Sequence, residues 1–209
     1  MPSAEGLSVF GHRGQRVSTR LRRQPEVSTH LAVLLPGLGY RSTMPALYYC
    51  SQLMFQRGAD VLSIEYAYDS VPDFMNGSDE EKLSWIKTDV GAAFDAITSS
   101  QIGDYRRFTI IGKSLGTVGM ALTVPDYPEL RTADLIWLTP SFGAPGFYEG
   151  LLRCCESDCR SMLVIGTADP AYDDKQLLEL KDRFGVNSMV VPGLDHGMQT
   201  SQRQWMRWR

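Results

Sequence analysis

The stretch 108–117 constrains the fold of this chain more than any other. Residues typical of a buried β-strand run directly into a Gly-x-Ser-x-Gly pattern centred on Ser114, and small and apolar residues then continue to Pro125. This order predicts a strand, a sharp turn and a helix, which is the setting of a nucleophile elbow. In such a turn the serine backbone is strained and its hydroxyl stands above the sheet edge. A Cβ at Gly112 or Gly116 would collide there with a neighbouring strand or helix.

Apolar strands alternate with helices along the rest of the chain. After an N-terminal antiparallel hairpin at 7–10 and 15–22, further strands are predicted at 30–35, 60–66, 134–139, 161–166 and 188–191. Besides the helix of the elbow, helices are predicted at 45–56, from a capping box at Ser78 to about 97, and at 147–154, 173–184 and 200–208. A polar linker is predicted at 67–77.

This alternation predicts the α/β class, with a mostly parallel, doubly wound sheet and helices on both faces. The length suits a single domain spanning 1–209. Only about 20 residues separate the strands that end at 139 and begin at 161, so no large cap is expected.

Two local features carry further predictions. Ser42 or Thr43 is placed to cap the helix that begins near Pro45. The N-terminal hairpin carries several arginines, which we interpret as charges that protect a solvated edge strand from aggregation. An anionic partner is the alternative explanation for these arginines.

The composition bears on several classes of function. The 209 residues carry a formal net charge of −3, which gives no electrostatic case for binding nucleic acid or an anionic membrane. No apolar run approaches the roughly 18 residues of a membrane span, and the N-terminus lacks the apolar core of a signal peptide, so a cytoplasmic location is expected. Cys154, Cys155 and Cys159 are interpreted as thiols, because zinc sites use paired sets of ligands. We therefore expect no metal and no cofactor.

The predicted elbow needs a base, because a serine hydroxyl is a poor nucleophile until its proton is removed. Of the three histidines, His12 falls in the hairpin and His30 at the amino end of a strand, whereas His196 lies in a glycine-flanked loop after the last predicted strand. The carboxyl ends of parallel strands meet at one edge of a sheet, so Ser114 and His196 are expected to lie together. His196 is the predicted base.

A carboxylate is expected to orient the imidazole and to stabilise its charged form. Asp169 lies in the loop after the penultimate predicted strand. Asp173 and Asp174 are expected in the first turn of the next helix, where acids are common. Asp195 is adjacent to His196, and neighbouring side chains rarely face each other. Asp169 is therefore the preferred acid, in the chain order Ser, Asp, His.

An oxyanion that develops on the substrate needs two backbone N–H donors. Leu115, directly after the nucleophile and at the start of the predicted helix, supplies one. The second is expected from the glycine-rich loop 36–40, with Leu38 preferred and Gly39 or Tyr40 as alternatives.

Together these motifs resemble those of the α/β-hydrolase superfamily, especially its small, lidless esterases and dienelactone-hydrolase-like members. The segments that carry the resemblance span most of the chain in the family's order: the loop 36–40, the elbow 112–116, Gly166-x-x-Asp169 and Asp195-His196-Gly197. It implies the α/β-hydrolase fold and a serine hydrolase that works through an acyl-enzyme. Two positions depart from the common pattern: Pro36 replaces a frequent histidine, and Lys113 precedes the nucleophile, where aromatic residues, histidine or alanine are frequent.

A small-molecule acyl substrate is the expected partner, cleaved at a carboxylic ester or thioester. A site without a large cap favours small or extended acyl groups. The aromatic residues placed to line it, each with core packing as an equal alternative, are Tyr40, Phe142, Phe147, Tyr148 and Tyr172. Lys113 is expected either to attract an acyl group that bears a carboxylate or to pair with a surface acid.

Two classes of function compete. The first is the metal-independent serine hydrolase, and the second is a binding or scaffold protein on the same fold with a silent triad, since a fold does not determine function. Within the enzymes, acyl transfer, C–C bond hydrolysis and peptidase activity use the same parts. Three complete catalytic parts in the expected order favour the hydrolase. A fluorophosphonate probe separates the two classes, because it should label the hydrolase and the label should be lost in Ser114→Ala.

Overall fold

A mostly parallel β-sheet organises the described part of the chain. The computed structural model describes residues 4–99 and 102–200. Its strands are β1 (Ala4–Glu5), β2 (Val9–Phe10), β3 (Arg16–Arg22), β4 (His30–Leu35), β5 (Asp60–Glu65), β6 (Arg107–Lys113), β7 (Asp134–Leu138), β8 (Arg160–Gly166) and β9 (Asn187–Val191).

The strands lie across the sheet in the order β1-β3-β5-β4-β6-β7-β8-β9, with β2 paired to β3. Every neighbouring pair from β5 to β9 is parallel, whereas β3 runs antiparallel to β1, β2 and β5. The predicted fold class and the N-terminal antiparallel hairpin are confirmed. The loops that follow β4, β6, β7, β8 and β9 therefore open at one edge of the sheet.

Six α-helices occur in the described residues: α1 (Pro45–Gln56), α2 (Pro72–Asn76), α3 (Asp79–Thr98), α4 (Leu115–Thr123), α5 (Phe147–Glu156) and α6 (Asp174–Phe184). None of the helices in 4–99 and 102–200 has the length and apolar character needed to cross a membrane. The last predicted helix, at 200–208, lies outside the described residues except for Thr200, which forms an isolated β-bridge with Leu194.

The start of α3 shows a local prediction that is confirmed in detail. The Ser78 hydroxyl accepts from the Glu81 amide, and the Glu81 carboxylate accepts from the Ser78 amide at 2.7 Å.

α2, by contrast, occupies a stretch predicted as a polar linker. Pro72 starts this short helix, and Phe74 is buried with its ring stacked on Tyr68 at a centroid distance of 4.2 Å. Tertiary burial of one aromatic residue thus orders a segment of polar composition.

The predicted cap of α1 is wrong. The N-cap is Met44, and neither Ser42 nor Thr43 makes a capping hydrogen bond. Ser42 is buried instead, and its hydroxyl donates to the carboxylate of Glu65 at the end of β5. The serine is thus committed to a partner that is distant in the sequence.

The arginine-rich hairpin lies at one end of the sheet, as predicted, although its longer strand is not itself the outermost. β3 lies between β5 on one side and the two-residue strands β1 and β2 on the other. One of its arginines, Arg22, places its guanidinium carbon 3.5 Å from the ring centroid of Phe55 and donates to Gln52 at 3.1 Å. This charge packs against α1.

The apolar sequence of β4 follows from burial on both faces. Leu31, Val33 and Leu35 belong to the larger of two hydrophobic clusters, which packs under α3, α4 and α5, whereas Ala32 and Leu34 belong to a smaller cluster under α1. Successive side chains of a strand point to opposite faces, so a strand covered on both faces is apolar at every position.

α5 supports the helix that follows Ser114. A Cβ added at Gly150 of α5 would lie 2.2 Å from the backbone oxygen of Ala121 in α4. The two helices therefore touch backbone to backbone at this point. Because α4 begins at the elbow, this contact fixes the position of the elbow from behind.

Gly150→Ala is expected to destabilise the protein by about 1–3 kcal/mol, because the new methyl group overlaps a backbone carbonyl and the helices must separate. Gly91→Ala is the matched control, since Gly91 is also inside a helix but its Cβ would come no closer than 3.4 Å to another atom. The control should be neutral or more stable by up to about 1 kcal/mol. Urea unfolding measures both, and equal stabilities would contradict the close packing of α4 and α5.

Candidate active site

The turn between β6 and α4 has the strained geometry that the sequence predicts. Ser114 has φ 52° and ψ −115°, a conformation that side-chain-bearing residues seldom adopt. A Cβ at Gly112 would lie 2.4 Å from the sulfur of Met120, and one at Gly116 would lie 2.0 Å from the carbonyl oxygen of Leu35 in β4. Both positions accept only glycine, because the strand, the turn and the helix approach each other so closely.

Three side chains from separate loops meet at this turn. The Nε2 atom of His196 lies 2.7 Å from the Ser114 hydroxyl oxygen. On the other side of the ring, Nδ1 lies 2.9 and 3.0 Å from the two carboxylate oxygens of Asp169. Ser114 follows β6, Asp169 follows β8 and His196 follows β9, so the carboxyl ends of the strands bring the predicted residues together.

The other acids near the histidine in sequence have different roles. Asp173 caps α6, and its carboxylate accepts from the amides of Lys175 and Gln176. Asp195 accepts from the amide of Gln199 at 2.8 Å. Asp169 is the carboxylate that faces the imidazole.

Burial sets the electrostatics of this group. The Asp169 side chain has no exposed surface, whereas the His196 side chain is 40% exposed. Asp169 also accepts from the amide of Ala171 at 2.9 Å, which compensates part of the cost of burying a carboxylate. A buried carboxylate against Nδ1 favours the tautomer with the proton on Nδ1, which leaves the Nε2 lone pair to accept the serine proton.

The loop that carries His196 is held against the end of β8. A Cβ at Gly166 would lie 1.9 Å from the carbonyl oxygen of Leu194, and that oxygen accepts from the Ala168 amide at 3.1 Å. Within the loop, the amide of Asp195 donates to the carbonyl of Gln199 at 2.9 Å. The position of the imidazole therefore depends on a close approach that only glycine allows.

The loop 36–40 lies directly on the elbow. Gly37 and Tyr40 exchange two backbone hydrogen bonds of 3.2 Å, and a Cβ at Gly37 would lie 3.2 Å from the Cβ of Ser114. Because the Tyr40 amide donates within the loop, it is engaged, which leaves Leu38 and Gly39 as donor candidates. Among the residues described, the amides of Leu38, Gly39 and Leu115 donate to no protein acceptor.

Similar solved structures have the same overall architecture. A putative α/β hydrolase of unknown function from Agrobacterium tumefaciens is 20% identical with a TM-score of 0.72, and the match covers 99% of this chain and 92% of that one. A dienelactone hydrolase from Anabaena variabilis is 15% identical with a TM-score of 0.69, over 95% and 89% of the two chains. A serine hydrolase without a lid from Xanthomonas campestris is 15% identical with a TM-score of 0.65, over 94% and 87%.

The chain has the α/β-hydrolase fold. No protein-family model matches its sequence, and no curated protein matches it. The likeness therefore lies in the fold.

Most of the aromatic residues predicted to line the site are packed against other parts of the protein. Phe147 has no exposed surface, and Phe142 is 7% exposed with its ring edge-on to Phe147 at a centroid distance of 5.6 Å. The Tyr148 hydroxyl donates to the Glu179 carboxylate at 2.9 Å. For these residues core packing replaces the predicted lining role, because they join α5 to the sheet and to α6.

The two remaining tyrosines contact residues of the candidate site, Tyr172 at Asp169 and Tyr40 at Lys113. Tyr172 is partly buried, and its amide donates to the carbonyl of Asp169 at 2.9 Å. The Tyr40 hydroxyl accepts from the Ala46 amide at 3.1 Å, which ties the loop 36–40 to the start of α1. Both therefore remain candidates for substrate contact.

Lys113 lies buried against the loop that carries His196, and its role toward an anionic acyl group stays a prediction. It is 2% exposed, and its Nζ atom donates to the backbone carbonyl of His196 at 2.7 Å. Burial lowers the pKa of this amine to about 8, against the opposing effect of Asp169 and Asp195. The sequence pattern gave no sign of this contact, because the partner is a backbone atom 83 residues away.

The other titratable groups singled out in the sequence have partners other than Ser114, Asp169 and His196. His12 stacks on Trp85 at a centroid distance of 4.2 Å, and His30 contacts the Thr109 hydroxyl at 2.9 Å near the amino end of the sheet. Burial raises the pKa of the Cys155 thiol to about 11 and that of the Cys154 thiol further. In the part of the chain that is described, no group of three or more His, Cys, Asp or Glu side chains is arranged to hold a metal ion.

Gly166→Ala is expected to displace the loop 193–199, because the new methyl group would occupy the position of the Leu194 carbonyl. The contact between His196 and Ser114 should lengthen, although no side chain of the triad is changed. A crystal structure of the variant measures this distance. Gly143→Ala is the control, since no atom lies within 4 Å of its added Cβ. An unchanged distance in Gly166→Ala would contradict the inferred role of Gly166.

Proposed function

We propose that this protein is a serine hydrolase that cleaves carboxylic esters or thioesters through an acyl-enzyme. The supporting observation is the chain of contacts from Ser114 through His196 to the buried carboxylate of Asp169, with distances of 2.7 Å and 2.9 Å. The class of the similar structures, a dienelactone hydrolase and a serine hydrolase without a lid, supports the same chemistry.

In the first step, the Ser114 oxygen attacks the substrate carbonyl carbon while Nε2 of His196 takes the hydroxyl proton. Asp169 stabilises the imidazolium that forms. The carbonyl oxygen becomes an oxyanion, for which the amides of Leu38 and Leu115 are the proposed donors. Collapse of this intermediate expels the alcohol or thiol, which receives its proton from His196, and leaves the acyl group on Ser114.

In the second step, water replaces the alcohol or thiol. Nε2 of His196 takes a proton from the water as its oxygen attacks the acyl carbon, and the new oxyanion uses the same two amides. When this intermediate collapses, the Ser114 oxygen leaves with the proton from His196. The carboxylic acid is released, and the enzyme returns to its starting state.

The short connection between β7 and β8 bears on the substrate. It contains α5, which packs against α4 and the core rather than over the triad. A site without a large cap suits small or extended acyl groups, and we propose these as the substrate class. A hydrolysis screen of p-nitrophenyl esters with increasing acyl length tests this, and a preference for long chains would contradict it.

Ser114→Ala is expected to abolish turnover of p-nitrophenyl acetate and labelling by a fluorophosphonate probe, because it removes the attacking oxygen. Ser84→Ala, at an exposed serine on α3, is the control and should retain both activities. Circular dichroism checks that the fold is kept. A wild-type protein that neither turns over an ester nor takes the label would favour a binding protein with a silent triad.

The three side chains are expected to act as one unit. His196→Ala should lower kcat by on the order of a thousandfold or more, as should Ser114→Ala, and the double variant should be hardly worse than either. Asp169→Asn should lower kcat by a smaller factor than Ser114→Ala or His196→Ala. Additive losses in the double variant would contradict a shared mechanism.

A further inference from the structure

Lys113 joins three parts of the candidate site. It is the last residue of β6 and directly precedes Ser114. Its Nζ atom donates to the carbonyl oxygen of His196 at 2.7 Å, and it lies 4.8 Å from the ring centroid of Tyr40 in the loop 36–40. A cation within about 6 Å of an aromatic ring centroid is attracted to it. One buried amine thus contacts the loop of the base and the loop of the proposed oxyanion donor.

We propose that Lys113 is a positioning residue, whose ammonium ties the loop of His196 to the loop 36–40 and so holds the imidazole against Ser114. This inference rests on the proposed hydrolase function. The carbonyl that Lys113 binds belongs to the same residue as the catalytic imidazole, so a shift of this hydrogen bond moves the ring directly. Holding reacting groups in place can account for large factors in rate, since a misplacement of 1 Å can cost about a hundredfold.

The surroundings of the amine fit a retained charge. Asp169 and Asp195 act on it electrostatically and favour the ammonium, the His196 carbonyl accepts from it, and the Tyr40 ring lies beside it. Burial acts in the opposite direction and is the larger effect, so the pKa falls to about 8. The ammonium is therefore present below pH 8 and is lost as the pH rises through that value.

This pKa shift also fixes the sign of the effect on stability. The unfolded chain holds its lysine proton to a higher pH than the folded chain, so the charged form of Lys113 is disfavoured by folding at neutral pH. Replacement by an uncharged side chain of similar length should not lower the melting temperature at pH 7. A residue that contributes only to stability would behave in the opposite way.

The kinetic test compares Lys113→Met with the wild type on p-nitrophenyl acetate and on an anionic ester of equal size. We expect kcat to fall by roughly ten- to a hundredfold on both esters, with KM changed by less than about threefold, because the amine orients the base and does not contact substrate. The melting temperature should be equal or higher. Lys181→Met, at an exposed lysine on α6, is the matched control and should have wild-type kinetics. A rise in KM confined to the anionic ester would overturn the proposal in favour of direct substrate binding.

The pH profile separates the charge from the side-chain volume. In the wild type, kcat should decline as the pH rises through about 8, where the ammonium is lost. Lys113→Arg keeps its charge at every accessible pH, so a variant that folds should lack this alkaline decline. Lys113→Met should be slow at all pH values and should also lack the decline. An identical alkaline decline in Lys113→Met and wild type would overturn the proposal.

Hydrogen exchange tests the tether independently of any enzyme activity. In Lys113→Met, the amides of Met198 and Gln199, which donate within the His196 loop, should exchange faster at pH 7, as should the amide of Tyr40. Peptides from α3 should be unchanged. Unchanged exchange in both loops would overturn the tether even if the wild type hydrolyses esters. If exchange is faster in Lys113→Met but the wild type hydrolyses no ester, the result would support the tether and would count against the proposed function alone.

Discussion

The close approach of α4 to β4 is the constraint on which the rest of the site depends. The Cα of Gly116 sits so near the carbonyl of Leu35 that no side chain fits between them. Only at this separation can the chain leave β6, reverse through Ser114 at φ 52° and continue as a helix beside the neighbouring strand. α5 then packs on α4 at Gly150, so the elbow is held from the sheet side and from the helix side together.

Most of the strands and helices can be predicted from local patterns in the sequence. The apolar run of β4 predicts a strand buried on both faces, and the capping box at Ser78 predicts where α3 begins. The strand ends then predict that Ser114, Asp169 and His196 meet, because the rule for parallel sheets concerns topology and needs no side-chain detail. These predictions succeed because each depends on backbone periodicity or chain order.

Where local sequence patterns are insufficient, tertiary contacts determine the role of a side chain. Ser42 looks like a helix cap, but the Glu65 carboxylate from β5 takes its hydroxyl. For Phe142 the sequence leaves pocket lining and core packing equal, and its burial with the ring edge-on to Phe147 favours core packing. For Lys113 the sequence suggests a substrate carboxylate or a surface acid as partner, whereas its Nζ atom donates to the backbone carbonyl of His196. In each case the deciding contact is formed by tertiary packing and leaves no local pattern in the sequence.

Backbone strain is concentrated at the edge of the sheet where Ser114, Asp169 and His196 lie. Of the four non-glycine residues with positive φ in the described part of the chain, three follow strand ends at this edge: Ser114, Thr139 and Met198. Thr139 directly follows β7, is fully buried and has φ 46°, an unusual value for a β-branched residue. Its hydroxyl also has no hydrogen-bond partner among the described residues.

Each such residue costs on the order of 1–3 kcal/mol, which the surrounding core must offset. The two hydrophobic clusters lie along the sheet and its helices, whereas the strained residues lie at the strand ends, so packing of the sheet holds loops that would relax in isolation. The buried ammonium of Lys113 belongs to the same pattern, because its lowered pKa shows that folding disfavours its charge. The stability of the sheet thus offsets the free-energy cost of the strained backbone and of the buried charge at the proposed site of catalysis.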